Sequence, residues 1–120
     1  MGRFWKGSAA GNMHNCDACF EGGRVWRGST VGNMYNATVC YEGGRIWEGS
    51  TPGNMYNAVA RYKDGRIWLG SDEGNMYAAE ACFADGCVWL GTSKGNPYSA
   101  DGKYEGPDSG GAAAAYLLII

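Results

Sequence analysis

The stretch DGRIWLGSDEGNMYAAEAC, Asp64 to Cys82, decides the fold. Its tryptophan recurs as Trp5, Trp26, Trp47, Trp68 and Trp89, each 21 residues after the last. A Gly-Asn pair follows every one: Gly11-Asn12, Gly32-Asn33, Gly53-Asn54, Gly74-Asn75 and Gly95-Asn96. Self-similarity at a short fixed period marks an array in which one supersecondary unit is copied and stacked. The chain holds five such units.

Each unit opens with a short aromatic and β-branched run closed by Gly and Ser or Thr: RFWKGS, RVWRGS, RIWEGS, RIWLGS and CVWLGT. That composition predicts a strand. A turn follows, and Pro52-Gly53 fits the central pair of a type II turn, which predicts positive φ at the repeated glycine. A second run alternates apolar side chains with period two, as in His14/Cys16/Ala18/Phe20, Tyr35/Ala37/Val39/Tyr41, Tyr56/Ala58/Ala60/Tyr62 and Tyr77/Ala79/Ala81/Phe83. This predicts a half-buried strand with those residues on the core side. Gly-Gly or Asp-Gly then leads into the next unit, the strongest short signal for a two-residue hairpin. With Asp64 and Gly65 in that turn, Tyr62 lies opposite Ile67 and Ala60 opposite Leu69 on one face. Arg61 lies opposite Trp68 on the other, together with Val59, Asn57 and Met55.

Two turns per unit leave no room for a crossover, so the expected class is all-β: five hairpin repeats forming a ten-strand antiparallel meander. A single sheet cannot leave its apolar face in water. No helix of adequate length is legible to cover it, so the sheet is expected to curl or close into an up-and-down barrel with its alanine-lined face inside. The second arrangement is an open ribbon whose apolar face is buried in a dimer. Residues 1–105 form this repeat domain, and 106–120 read as a flexible connector (Pro107 to Gly111) and an apolar tail, Ala112 to Ile120. An exposed YLLII would invite aggregation, so the tail is expected to dock as an added strand, as a plug, or on a partner subunit.

Net charge −2 and a pI near 5.3 give no field that would gather nucleic acid. No stretch approaches the roughly 18 apolar residues of a membrane span, and the N-terminus lacks a signal-peptide core. Five cysteines at irregular spacing suit free thiols in a reducing compartment. The expectation is a soluble cytoplasmic protein.

The segments FEGGRVWRG (20–28) and YEGGRIWEG (41–49) resemble the Tyr-x-Gly and Asp-Gly-x-x-Tyr-x-Gly phrases of MORN repeats, consecutive β-hairpins of slightly longer period. The resemblance implies a hairpin array used for contacts with proteins or lipids, with no catalytic role.

Among candidate sites the tryptophan row comes first. Equivalent residues of successive hairpins stand about 9.5 Å apart, so Trp26, Trp47 and Trp68 would make a stacking ladder for a polar ligand, with Asn36 and Asn57 as hydrogen-bonding partners. The competing reading packs each Trp as structural filling beneath a methionine. Arg3, Arg24, Arg45 and Arg66 form a second row, expected to pair across the hairpins with Glu21 and Glu42. Lys63 opposite Arg66 is the like-charged pair where an anion would bind. His14, Cys16 and Cys19 spell HxCxxC, but strand alternation puts Cys19 on the opposite face, so no metal site is expected. Asp17, Glu80 and Asp101 lie in different units and define no catalytic set. No enzyme activity and no cofactor follow. The expected function is a non-enzymatic binding or protein-interaction module, with a protein partner or small polar ligand, no nucleic acid, and homo-oligomerisation. The alternative is a small-molecule carrier using an internal barrel cavity.

Overall fold

A Gly-Gly or Asp-Gly pair can hold positive φ at both central positions of a hairpin, and only then does the turn's twist match that of its strands. The computed structural model, which describes residues 2–120, has this geometry at all four internal hairpins. Gly22 and Gly23 lie at φ 60° and 83°, and Asp64 and Gly65 at 51° and 77°. The hairpins pair β2 (Ala18–Glu21) with β3 (Arg24–Arg27), β4 (Val39–Glu42) with β5 (Arg45–Glu48), β6 (Ala60–Lys63) with β7 (Arg66–Leu69), and β8 (Ala81–Ala84) with β9 (Cys87–Leu90). In the third of these, Tyr62 faces Ile67, Arg61 faces Trp68 and Ala60 faces Leu69, the register read from the sequence. β1 (Gly2–Lys6) pairs with both β2 and β10 (Gly102–Glu105), which closes a ten-strand antiparallel barrel.

The strands are shorter than their apolar alternation suggests. Each second strand covers only four residues, the last three of its run and the one that follows. The cause is the Asn of each Gly-Asn pair. Its Oδ1 accepts from the backbone N–H two residues on, at 2.8 Å for Asn12 to His14 and 2.9 Å for Asn33 to Tyr35, Asn54 to Tyr56, Asn75 to Tyr77 and Asn96 to Tyr98. Such local bonds compete with the ladder and start a tight turn. In the last two units the turn becomes a 3-10 helix, Met76–Ala78 and Pro97–Ser99. The expectation that His14, Tyr35, Tyr56 and Tyr77 face the core is therefore corrected: all four are exposed. The expected type II turn at Pro52-Gly53 is also absent, since Gly53 does not adopt positive φ. Glycine is required there because a Cβ would meet Asn57 Oδ1 at 2.5 Å.

The tail holds the largest departure from the sequence reading. From Asp108 to Leu118 it is α-helix (α1), so residues 108–111 are its first turn and not a connector. Ala112, Ala113, Ala114 and Ala115 are all 0% exposed. Successive helical residues point 100° apart, so four in a row with no solvent access mean that the barrel wall surrounds the helix. Their neighbours are the inward side chains Phe4, Phe20, Val25, Val39, Ile46 and Ile67. An 11-residue helix is about 16 Å long, close to the molecule's shortest extent of 17 Å. It therefore runs from one rim to the other. At the hairpin rim Tyr104 Oη donates to Asp108 Oδ1 at 2.6 Å, and at the opposite rim Tyr116 Oη donates to Glu48 Oε1 at 2.9 Å. The plug is held at both ends.

These phenols tie stability to alkaline pH. Burial, reinforced by Asp108 and Asp64, pushes the Tyr62 phenol up to about 12, and burial with the Glu48 hydrogen bond does the same for Tyr116. Tyr104 is raised further, by burial and its bond to Asp108. An unfolded tyrosine titrates near 10, so above that pH the unfolded chain sheds protons that the folded one keeps. Stability should hold below about pH 10 and fall between about pH 10 and 12. Urea midpoints measured at pH 8, 10 and 11.5 check this, and a flat profile would contradict the buried phenols.

Candidate functional site

Trp26, Trp47 and Trp68 point outward from the barrel, yet each is only 7–8% exposed. The cover is the unit's own loop. Trp26 Nε1 donates to Asn33 O at 3.0 Å and to Asn36 Oδ1 at 2.9 Å, and Trp47 Nε1 donates to Asn54 O and Asn57 Oδ1, both at 2.9 Å. Trp68 Nε1 donates to Asn75 O at 2.9 Å, and the residue that would supply the second acceptor is Ala78. Beneath the loops lie small satellite clusters, Cys19/Trp26/Ala37 and Cys40/Trp47/Ala58. The alanines expected in the lumen at 37 and 58 are here instead, because the chain turns before the strand begins. The rings are thus filling, held beneath their own loops. The sequence-expected ladder has no free ring faces, and Asn36 and Asn57 spend their side-chain oxygens on indoles.

What the loops present is different. Tyr35, Tyr56, Tyr77 and Tyr98 are 79–91% exposed, and Met13, Met34, Met55 and Met76 about half exposed. Only their backbones take part in the turn. The tips carry a Met-Tyr pair in units 2 to 4, Met-His in the first and Pro-Tyr in the fifth. They repeat around a disc measuring 36 × 35 × 17 Å. Sequence reasoning set the methionines on the outer face but missed the tyrosines, because the alternation of Tyr35 and Tyr56 with Ala37 and Ala58 imitated a strand.

No family model, curated protein or solved structure matches this chain.

The charged residues fall out differently from the pairing expected. The register sets Glu21 against Arg24 and Glu42 against Arg45, but among the described residues the one ion pair is Lys63 with Glu73, at 3.1 Å. Lys63 was expected to attract an anion beside Arg66, and it is already neutralised. Arg24 reaches toward the next unit's loop, where Nε donates to Ser50 O at 3.1 Å. His14 stands exposed on its loop, Cys16 donates to the Met13 and Gly28 carbonyls, and Cys19 is fully buried. Asp17 and Asp101 accept from the backbone N–H groups of Lys6 and Leu90, each at 2.8 Å. Burial pushes the thiols of Cys16, Cys19, Cys40 and Cys82 up from their ordinary range, which suppresses thiolate chemistry.

Two open spaces stand out among the described residues. One, about 500 Å³, sits at the loop-side mouth among Arg27, Val39, Glu48, Leu69, Tyr116 and Leu117. The other, about 390 Å³, lies on the outer wall between β3 and β4, lined by Gly22, Gly23, Arg24, Cys40, Glu42 and Pro52 among others. Neither is the lumen, which α1 fills.

Proposed function

We propose that this chain is a non-enzymatic protein-interaction module whose contacts are made by its Met-Tyr loop tips. One observation carries the reading: four tyrosines at 79–91% exposure recur at the same loop position, although the loop needs only their backbone. Tyr and Met are enriched in interface cores, Tyr because a rigid amphipathic ring gives much contact area for little lost entropy. Five similar tips on one disc favour multivalent engagement, in which weak single contacts add through effective concentration. The resemblance to MORN hairpin arrays points the same way. Self-association uses these tips, since the tail is spent inside the barrel. The filled lumen weighs against the carrier alternative. Five unpaired, buried cysteines support a reducing, cytoplasmic setting. No described helix is long and apolar enough to cross a membrane.

The test is a photo-crosslinking amino acid placed at position 35, 56 or 77 in cells, with position 105 on the opposite rim as control. Loop-tip adducts with one defined protein, or with a second copy of this chain, are expected. Changing Tyr35, Tyr56, Tyr77 and Tyr98 together to serine should abolish binding of the purified partner. It should cost no more than about 0.5 kcal/mol of stability per site, as exposed positions do. Adducts from position 105 alone would sink the proposal.

A further inference from the structure

The five units differ at one outward position next to the hairpin turns, occupied by Cys19, Cys40, Arg61, Cys82 and Lys103. Where that residue is basic, it closes the cleft between neighbouring hairpins. Arg61 Nη1 donates to Gly43 O at 2.9 Å, and Lys103 Nζ lies 3.4 Å from Asp85 O, the equivalent turn carbonyl. Cys40 is too short to do this, and the cleft of about 390 Å³ stays open. The glycines of the turns report the same contrast. A Cβ on Gly44 would collide with Arg61 Nη1, and one on Gly86 would lie 3.2 Å from Lys103 Nζ. Above Gly23, apart from its chain neighbours Gly22 and Arg24, the only heavy atom within 4 Å is the backbone oxygen of Tyr41.

We infer that the β3/β4 cleft binds a guanidinium group supplied from outside, which donates to Gly22 O and faces the Glu42 carboxylate. The fold itself demonstrates the fit, since Arg61 fills the homologous space in cis. Arg24 does not forbid it, because Arg45 stands in the same register beside Arg61. Arg24 is also drawn aside by Ser50, and its Nη1 donates to Gly22 O only through a long bond of 3.5 Å, which leaves that carbonyl's second lone pair free. Glu42 lines the cleft and accepts no hydrogen bond from any described residue. The open junction between β7 and β8 lacks this feature, with Ala84 in the equivalent place. Charge-assisted, forked donation to a carbonyl and a carboxylate suits guanidinium better than ammonium. The source is either an arginine of a partner protein or a free guanidino compound. The inference does not rest on the loop-tip reading.

Amide NMR with agmatine tests it. Titration to about 10 mM should shift Gly22, Gly23 and Glu42 with a Kd on the order of 1 mM, as befits so small a ligand, and binding should weaken with salt. E42Q should weaken binding about tenfold. C40R should fold as the Arg61 junction does and leave no site. An arginine peptide that binds well above agmatine would identify a protein source, and equal affinities a free guanidino compound. No shifts at the three amides, unchanged affinity in E42Q, or undiminished binding in folded C40R would each overturn the inference. Should C40R fail to fold, E42Q still decides.

Discussion

Deleting residues 108–120 is expected to abolish cooperative unfolding and leave a dye-binding, partly collapsed chain. With α1 gone, Phe4, Phe20, Val25, Val39, Ile46 and Ile67 would line an empty lumen. Each such side chain loses roughly 1.5–3 kcal/mol on exposure, so the set rivals the roughly 5–15 kcal/mol by which a domain is stable. A subtler version is Ala113→Leu. That residue has wall on every side, so the added atoms have no solvent-facing direction, and overpacking should cost at least about 1–3 kcal/mol. Gly110→Ala should behave alike, since its Cβ would run into Phe20, whereas Gly110→Ala with Phe20→Leu should recover part of the loss. Chemical denaturation followed by circular dichroism, with an apolar fluorescent dye, measures all four. A truncated chain that melts cooperatively near the intact protein's midpoint would show that the barrel stands hollow, and the carrier reading would regain its cavity.

The same helix shows where the sequence stopped being legible. Period, turn chemistry and register could be read because Gly-Gly and Asp-Gly fix the hairpin and the two-residue alternation fixes the face. Tyr62 against Ile67 followed from those two facts alone. α1 could not be read that way. A helix buried on one side announces itself by amphipathic spacing, but one enclosed on all sides needs small residues everywhere, and GGAAAAY then looks like linker. The two glycines reinforce that impression by their poor helix propensity, about 1 kcal/mol each, while the close approach of Phe20 and Tyr104 is what demands them. The loop tips misled for the opposite reason. Tyr35, Ala37, Val39 and Tyr41 carry a convincing alternation, yet the Asn33 cap ends the ladder before Tyr35. The signal lay in the Gly-Asn pair itself, an Asn placed to bond its own backbone two residues on.

Trp47→Ala is expected to cost about 3–5 kcal/mol, the range for removing a buried aromatic, and to release the loop carrying Met55 and Tyr56. The indole holds that loop by two acceptors, Asn54 O and Asn57 Oδ1, and fills the space above Cys40 and Ala58. The repeat supplies its own control, because Trp68 has Asn75 O but only Ala78 where the second acceptor would be. Phenylalanine keeps the filling and removes the N–H. Trp47→Phe should therefore cost more than Trp68→Phe, by about one hydrogen bond, or ~1 kcal/mol. Ala78→Asn should raise stability by a similar or smaller amount and then make Trp68→Phe as costly as Trp47→Phe. Denaturant midpoints across these variants form a coupling cycle. Equal costs at the two tryptophans, with or without Asn at 78, would mean that the Asn contributes nothing to holding the loop. Binding losses from Asn57 variants would then have to be read as direct contacts, returning Asn36 and Asn57 to the list of ligand-facing residues.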